Sequence, residues 1–188
     1  MITFTPWRRK LAGYGTAYLP LPWGDMRDAS ENPLTAATYP SVIPYDTQAT
    51  GNPLCELQSN TGTKTNIWWI IVTIPYSYVA ASNLTLKFDG SYTLGGDGVL
   101  VASTLDVEAF PYDSTNGDFS NADICATVAQ SLATSFATKS FTLTGTTVTP
   151  GIYILIRFTS VVQITSAGGA GTGRNGFNFP RVEYRARP

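Results

Sequence analysis

Strict alternation of apolar and polar side chains recurs along this chain and rules out helices over most of its length. In LTLKFDG, Leu84, Leu86 and Phe88 alternate with Thr85 and Lys87 before a turn signal at Asp89 and Gly90. In TLDVEAF, Leu105, Val107 and Ala109 alternate with Asp106 and Glu108. FTLTG starts a third run at Phe141, TPGIYILIRFTSV places Ile152, Ile154, Ile156 and Phe158 on one face, and RVEYRAR does the same with Val182, Tyr184 and Ala186. Successive strand side chains point to opposite faces, so a period of two marks half-buried strands. Runs of this length separated by turns predict an all-β fold, a sandwich of two antiparallel sheets.

The stretch NIWWIIVTIPYSY, Asn66 to Tyr78, is apolar at almost every position and ends its run at Pro75. A membrane-spanning helix needs about 20 apolar residues, and Ile67 to Ile74 is less than half of that, with Thr73 inside it. Branched and aromatic residues in a short bounded run fit a strand covered on both faces. Alternation then sends one of Trp68 and Trp69 inward and the other outward.

Three connections carry their own signals. Thr149–Pro150–Gly151 has proline and glycine where a type II turn wants them, which predicts a turn joining two antiparallel strands. NADICATVAQSLA spaces Ile124, Val128 and Leu132 helically, with Asn121 or Asp123 as a cap, so a turn or two of helix is expected; an irregular strand is the alternative, because Cys125, Thr127 and Val128 are poor helix formers. SAGGAGTGRNGFN, from Ser166, reads as a glycine-rich loop, and with no helix after it a phosphate cradle is not expected.

Residues 1–46 differ from the rest. Pro20, Pro22, Pro33, Pro40 and Pro44 argue against long ladders and helices, yet Trp7, Tyr14, Tyr18, Leu19, Leu21 and Trp23 are too apolar for a free linker. The segment must lie against its own sandwich or a partner. The expectation is an extended assembly arm over 1–46 and a sandwich domain over 47–188, with Trp7, Arg8, Arg9, Tyr14, Tyr18 and Trp23 as assembly contacts.

Charge excludes several partners. Net charge is −1 and charged residues make up only 13%, so bulk attraction to nucleic acid or acidic lipid is not expected. Basic residues gather near the ends (Arg8, Arg9, Lys10 and Arg27; Arg174, Arg181, Arg185 and Arg187), while Asp89, Asp97, Asp106, Glu108, Asp113, Asp118 and Asp123 fill the middle. Such ends suit an acidic surface, such as a neighbouring copy's body. Cys55 and Cys125 lack the spacing of a zinc ribbon or redox pair; two free, mostly buried thiols are expected, with a single long-range disulfide as the alternative. MITFTPWRRKLAGYG has no secretory-signal pattern, so synthesis in the cytoplasm is expected.

The chain contains no histidine, which removes the commonest general base and zinc ligand. Asp106 and Glu108 share a strand face, but between Leu105 and Val107 they read as its solvent side rather than a glycosidase pair. Asp113, Asn116, Asp118 and Asp123 supply oxygen ligands in an order unlike a calcium loop. A tight reversal at Asn116–Gly117 is the simpler reading. No catalytic residue, metal or cofactor is expected.

Leu105 to Thr159 resembles small virion proteins encoded by tailed bacteriophages. It has a strand with an acidic start, DICATVAQS at Asp123 to Ser131 where that group has DLCATxAQS, and VTPGIYILIRFT where it has LxPGDxLxxRxT. Ile152 and Tyr153 depart from the acidic residue that follows the glycine in that pattern. The resemblance implies a jelly-roll-like sandwich in a phage particle, as head decoration, head fibre or tail accessory, with other virion proteins and further copies of itself as partners. Homo-oligomers, a trimer among them, go with such a role, and the virion is the implied location. The alternative is a carbohydrate-binding jelly-roll module, with Trp68 and Tyr92 stacking on sugar rings.

Overall fold

The computed structural model describes residues 14–31, 33–34, 42–43, 54–55, 57–59 and 61–187. Its strands are β1 (Gly15–Pro20), β2 (Arg27–Asp28), β3 (Val42–Ile43), β4 (Leu54–Cys55), β5 (Leu57–Ser59), β6 (Gly62–Thr73), β7 (Leu84–Gly95), β8 (Gly98–Asp113), β9 (Asp118–Phe119), β10 (Gln130–Ser131), β11 (Ala137–Leu143), β12 (Tyr153–Ser166) and β13 (Thr172–Ala186). A five-stranded sheet has the order β1-β13-β7-β11 with β5 also on β13, and a six-stranded sheet has the order β10-β8-β12-β6-β2 with β9 on β8. β3 and β4 pair separately. All pairings are antiparallel.

The alternating runs put their apolar sets between the sheets. Leu84, Leu86, Phe88, Phe141, Leu143, Phe177 and Val182 face Leu105, Val107, Ala109, Ile154, Ile156 and Phe158, all buried. Trp68 is fully buried at the centre, its ring 5.7 Å from both Phe158 and Phe177, while Phe88 meets Phe158 edge-on at 5.1 Å. Aromatic pairs at these separations add to the area they bury. Nearer the far end the core turns polar. Asn175 accepts a hydrogen bond from Ser103 Oγ at 2.7 Å and donates to Ser160 Oγ and Val161 O at 2.9 Å each.

The proline-rich segment is not a free arm where it is described. β1 adds to the edge of β13 in register from Gly15↔Ala186 to Pro20↔Arg181, and Leu21, Trp23, Met26 and Leu34 are buried in the same core as Trp68. Edge pairing explains the tolerance of Pro20, since a strand at an edge can face its missing N–H away from the ladder. The described residues between 15 and 34 therefore pack into the sandwich expected to begin at residue 47. Trp23, expected as an assembly contact, is a core residue; Trp7, Arg8 and Arg9 lie outside the described residues.

Other expectations change for identifiable reasons. β7 runs straight through Asp89 and Gly90, because both residues are paired on each side, with Thr138 and Ala137 of β11 and with Asn178 and Phe177 of β13. Gly90 has little room for a side chain, with Leu132 Cδ2 3.0 Å from where a Cβ would sit. The turn comes later, at Gly96, where a φ of +61° and the Ala170 carbonyl oxygen, pressed against the place a Cβ would take, admit only glycine. Of the expected glycine-rich loop only 167–171 is irregular, and Thr172 onward is β13. The Thr149–Gly151 turn forms, with Gly151 at φ +83° and Ile152 N–H donating to Thr149 O at 3.3 Å. It carries the chain from β11 in one sheet to β12 in the other rather than linking paired strands.

No helix forms over 121–133. The segment instead walls one side of the sandwich, because its polar groups find partners on both sheets. Asp123 Oδ1 accepts the N–H groups of Ala109 and Cys125, each at 2.8 Å. Ala126 N–H donates to Thr142 O, Thr127 Oγ1 accepts Thr142 N–H, and Gln130 Nε2 donates to Ser140 O. Leu132 turns inward while Val128 is 81% exposed, a pattern no helix of that spacing would give. Among the described residues no helix is long and apolar enough to cross a membrane.

Candidate interaction face

The two sheets present very different outer faces. That of the six-stranded sheet, termed the front, is built by β6, β12 and β8, whose registers place Trp69, Arg157 and Glu108 in one row and Ile71, Leu155 and Phe110 in the next. Ile67, Thr159 and Asp106 form the row on the other side. Ile67 is 37%, Ile71 44% and Tyr153 50% exposed, and Trp69, Leu155, Phe110 and Tyr112 are half-buried. The run from Ile67 to Ile74 is thus covered on only one face. An apolar side chain left in water forgoes about 1.5 to 3 kcal/mol of burial, so a contiguous set of them on one face marks an interaction surface.

The polar centre of the front is self-contained. Arg157 Nε and Nη2 each donate to Glu108 at 2.6 Å, a two-pronged pair, with the guanidinium carbon 5.5 Å from the Phe110 ring centre. Both partners are partly exposed, so the pair chiefly fixes direction and charge rather than adding stability. Glu108 is committed to that pair and Asp106 Oδ1 to Val107 N–H. At one corner Tyr112 meets Phe119 and Tyr153 edge-on, at 5.7 and 6.3 Å. Beside it a cleft of about 290 Å³ is lined by Pro111, Tyr112, Ser120, Ile124, Thr147 and Ile152 among others.

The back, the outer face of the five-stranded sheet, is polar and basic. Glu183 is bridged by Lys87 Nζ at 2.7 Å and by Arg181 Nε at 3.7 Å. Arg185 lies over the Tyr14 ring at 4.3 Å, and Tyr14 and Tyr18 are 59% and 60% exposed. A shallow cleft of about 390 Å³ opens there between Tyr14, Thr16, Asn83, Thr85, Glu183 and Arg185.

Of the residues read as ligand-stacking candidates, Trp68 is fully buried and Tyr92 turns inward, partly buried against the core. Trp68 therefore has no face to offer a ligand in this fold. Trp69 takes the outward place, and Thr73 marks its phase in the sequence, because Ile67, Trp69, Ile71 and Thr73 share one face of the strand.

The acidic loop spends its carboxylates locally. Asp113 receives Thr115 N–H and Asn116 Nδ2, and these bonds, the Thr115 amide first, hold its pKa below the ordinary value. Gly117 completes the reversal at φ +70°. Among the described residues no three of His, Cys, Asp and Glu come together as a metal site. Cys125 is a free, half-buried thiol whose pKa burial pushes up to about 11, so it is a poor nucleophile near neutrality. The side chain of Cys55 lies outside the described residues.

No family model and no curated protein sequence matches this chain. Its fold is similar to a domain of the tailspike protein 4 of bacteriophage CBA120 (TM-score 0.41, 8% identity, 93% of this chain and 20% of that one). It is also similar to the carbohydrate-binding module TmCBM61 solved with β-1,4-galactotriose (0.39, 11% identity, 95% and 90%) and to a Stig cyclase from Fischerella sp. TAU (0.40, 13% identity, 92% and 90%). The chain spans about a fifth of the tailspike's length. None of these likenesses assigns a family or a ligand.

Proposed function

We propose that this chain is a non-enzymatic structural protein of a bacteriophage particle that docks onto other virion protein through its front face. The observation that carries the reading is the set of branched aliphatic side chains there. Ile67 and Ile71 stand exposed beside half-buried Leu155 and Trp69. Branched aliphatics offer no flat ring to a sugar, whereas they match the apolar centre of a protein contact. The resemblance of Leu105–Thr159 to virion proteins supports the same reading. Phage particles assembled with an Ile71→Lys or Trp69→Ala protein should lose it from the purified virion, while the isolated variants keep the parent's sheet spectrum and cooperative melt. Unchanged occupancy in both would refute the docking role.

Glycan binding is the second reading, favoured by Trp69, Tyr112 and Tyr153 lying on the same face as the Arg157–Glu108 pair. Aromatic faces beside fixed polar groups suit sugar rings. Retention of the parent on host-surface polysaccharide, lost in Trp69→Ala without loss of stability, would replace the first reading.

A further inference from the structure

We infer that copies of this chain stack front to back, the front of one against the back of the next. This rests on the reading above that the front is a docking face, and it names the partner.

The charge distribution is the first reason. Between Lys87 and Lys139 the sequence has no lysine or arginine, and Asp106, Glu108, Asp113, Asp118 and Asp123 fall in that interval. The fold sets Asp106 and Glu108 on the outer face of β8, with Asp113 and Asp118 at its end; Glu108 is balanced by Arg157, and Arg27 on β2, in register with Trp69, is the basic group at the front's opposite edge. β13 and β7 carry Arg174, Arg181, Arg185 and Lys87 against Asp89 and Glu183, and Glu183 is already bridged twice. The front is thus acidic along its β8 edge only, and the back keeps an excess of basic groups, with Arg174 and Arg185 as well as the Lys87–Glu183–Arg181 cluster. Opposed faces of this kind attract across copies and repel front to front or back to back, which selects the heterologous contact.

The second reason is that both faces carry matching apolar anchors. Tyr14 and Tyr18 stand exposed on the back, with Arg185 on the Tyr14 ring, and Ile67 and Ile71 stand exposed on the front. Tyrosine and arginine are the residue types that concentrate binding energy at protein contacts. The area is also adequate. A face about four strands wide and about twelve residues long covers on the order of 750 Å², at about 4.8 Å between strands and 3.3 Å per residue. A stable contact takes about 800 Å² from each partner. Because the two surfaces differ, each copy keeps one face open, so the contact closes into a ring or continues as a row.

The test uses the full chain in sedimentation and light-scattering series at low and high salt. The parent should form species larger than a dimer, with apparent Kd rising about tenfold between about 0.05 and 0.5 M salt as the charges are screened. A front variant, Ile67→Lys with Ile71→Lys, and a back variant, Tyr14→Ala with Tyr18→Ala, should each be monomeric and keep the parent's sheet spectrum. Mixed together, they should form a one-to-one dimer and nothing larger, because each retains one intact face. A parent that stays monomeric at high concentration, or a mixture that stays monomeric, overturns the stacking. If the parent is monomeric yet the front variant is still lost from particles, the docking role stands and only the identity of the partner falls.

Discussion

Asn175 gives the sharpest test of how this sandwich holds its two sheets together. It sits on β13, fully buried, and its amide reaches across to the other sheet, accepting from Ser103 Oγ and donating to Ser160 Oγ and Val161 O. Replacing it with alanine removes three hydrogen bonds worth about 0.5 to 1.5 kcal/mol each. It also strands the two buried hydroxyls of Ser103 and Ser160, and leaves a small cavity. The expected loss is about 3 to 5 kcal/mol, a large part of the roughly 5 to 15 kcal/mol by which domains are stable. In a chain of this size that lowers Tm by roughly 8 to 15 °C. A double-mutant cycle in urea separates the network from the cavity. With Ser103→Ala and Ser160→Ala already in place, Asn175→Ala should cost less than it does in the parent by about 1 kcal/mol or more. Equal costs in both backgrounds, or a parent in which the substitution leaves the urea midpoint nearly unmoved, would refute the account of a cooperative polar bridge.

A chain beginning at Thr47 should fail to fold as a stable monomer, because it deletes Leu21, Trp23, Met26 and Leu34, each buried in the core and each contributing about 1.5 to 3 kcal/mol; a cooperative melt like the parent's would show that 15–34 is dispensable. At the far end Asp97 accepts Ser166 Oγ and Gly168 N–H, and these bonds, the Ser166 hydroxyl first, hold its pKa below the ordinary 3.8. Its contribution is therefore complete above that value and lost as pH falls through the lower folded pKa. The Gly168 amide resonance should accordingly titrate with a midpoint under 3.8, and a midpoint at or above it would contradict the bonding.

Most of the core is readable in the sequence, and what is not has a physical cause. Where a strand has one wet face, as in Leu84–Phe88 or Leu105–Ala109, the polar residues fix the phase and alternation names the buried set. In Ile67–Val72 both faces are apolar, so the run itself cannot say which tryptophan is inside. Only Thr73, at the end of the run, carries the phase. The side wall is hidden because its partners Ala109, Ser140 and Thr142 come from strands on both sheets, and helical spacing of Ile124, Val128 and Leu132 is a local signal that those bonds overrule. The N-terminal segment misleads because proline argues against ladders in general. At an edge beside β13 only alternate N–H groups must pair, and Pro20 fits there.

The side wall also shows what the DICATVAQS segment does in this fold. Asp123, Thr127 and Gln130 of DICATVAQS each tie the segment to a strand of one sheet or the other, and Cys125 packs half-buried against the core. None of these side chains faces the front or the back. In this chain the segment closes the sandwich and leaves recognition to residues such as Ile71, Trp69, Tyr18 and Arg185. Those positions lie on strands whose inward residues already specify the fold. Their outward neighbours are therefore free to change with the partner, and a substitution there should move binding while leaving the melt of the sandwich nearly where it was.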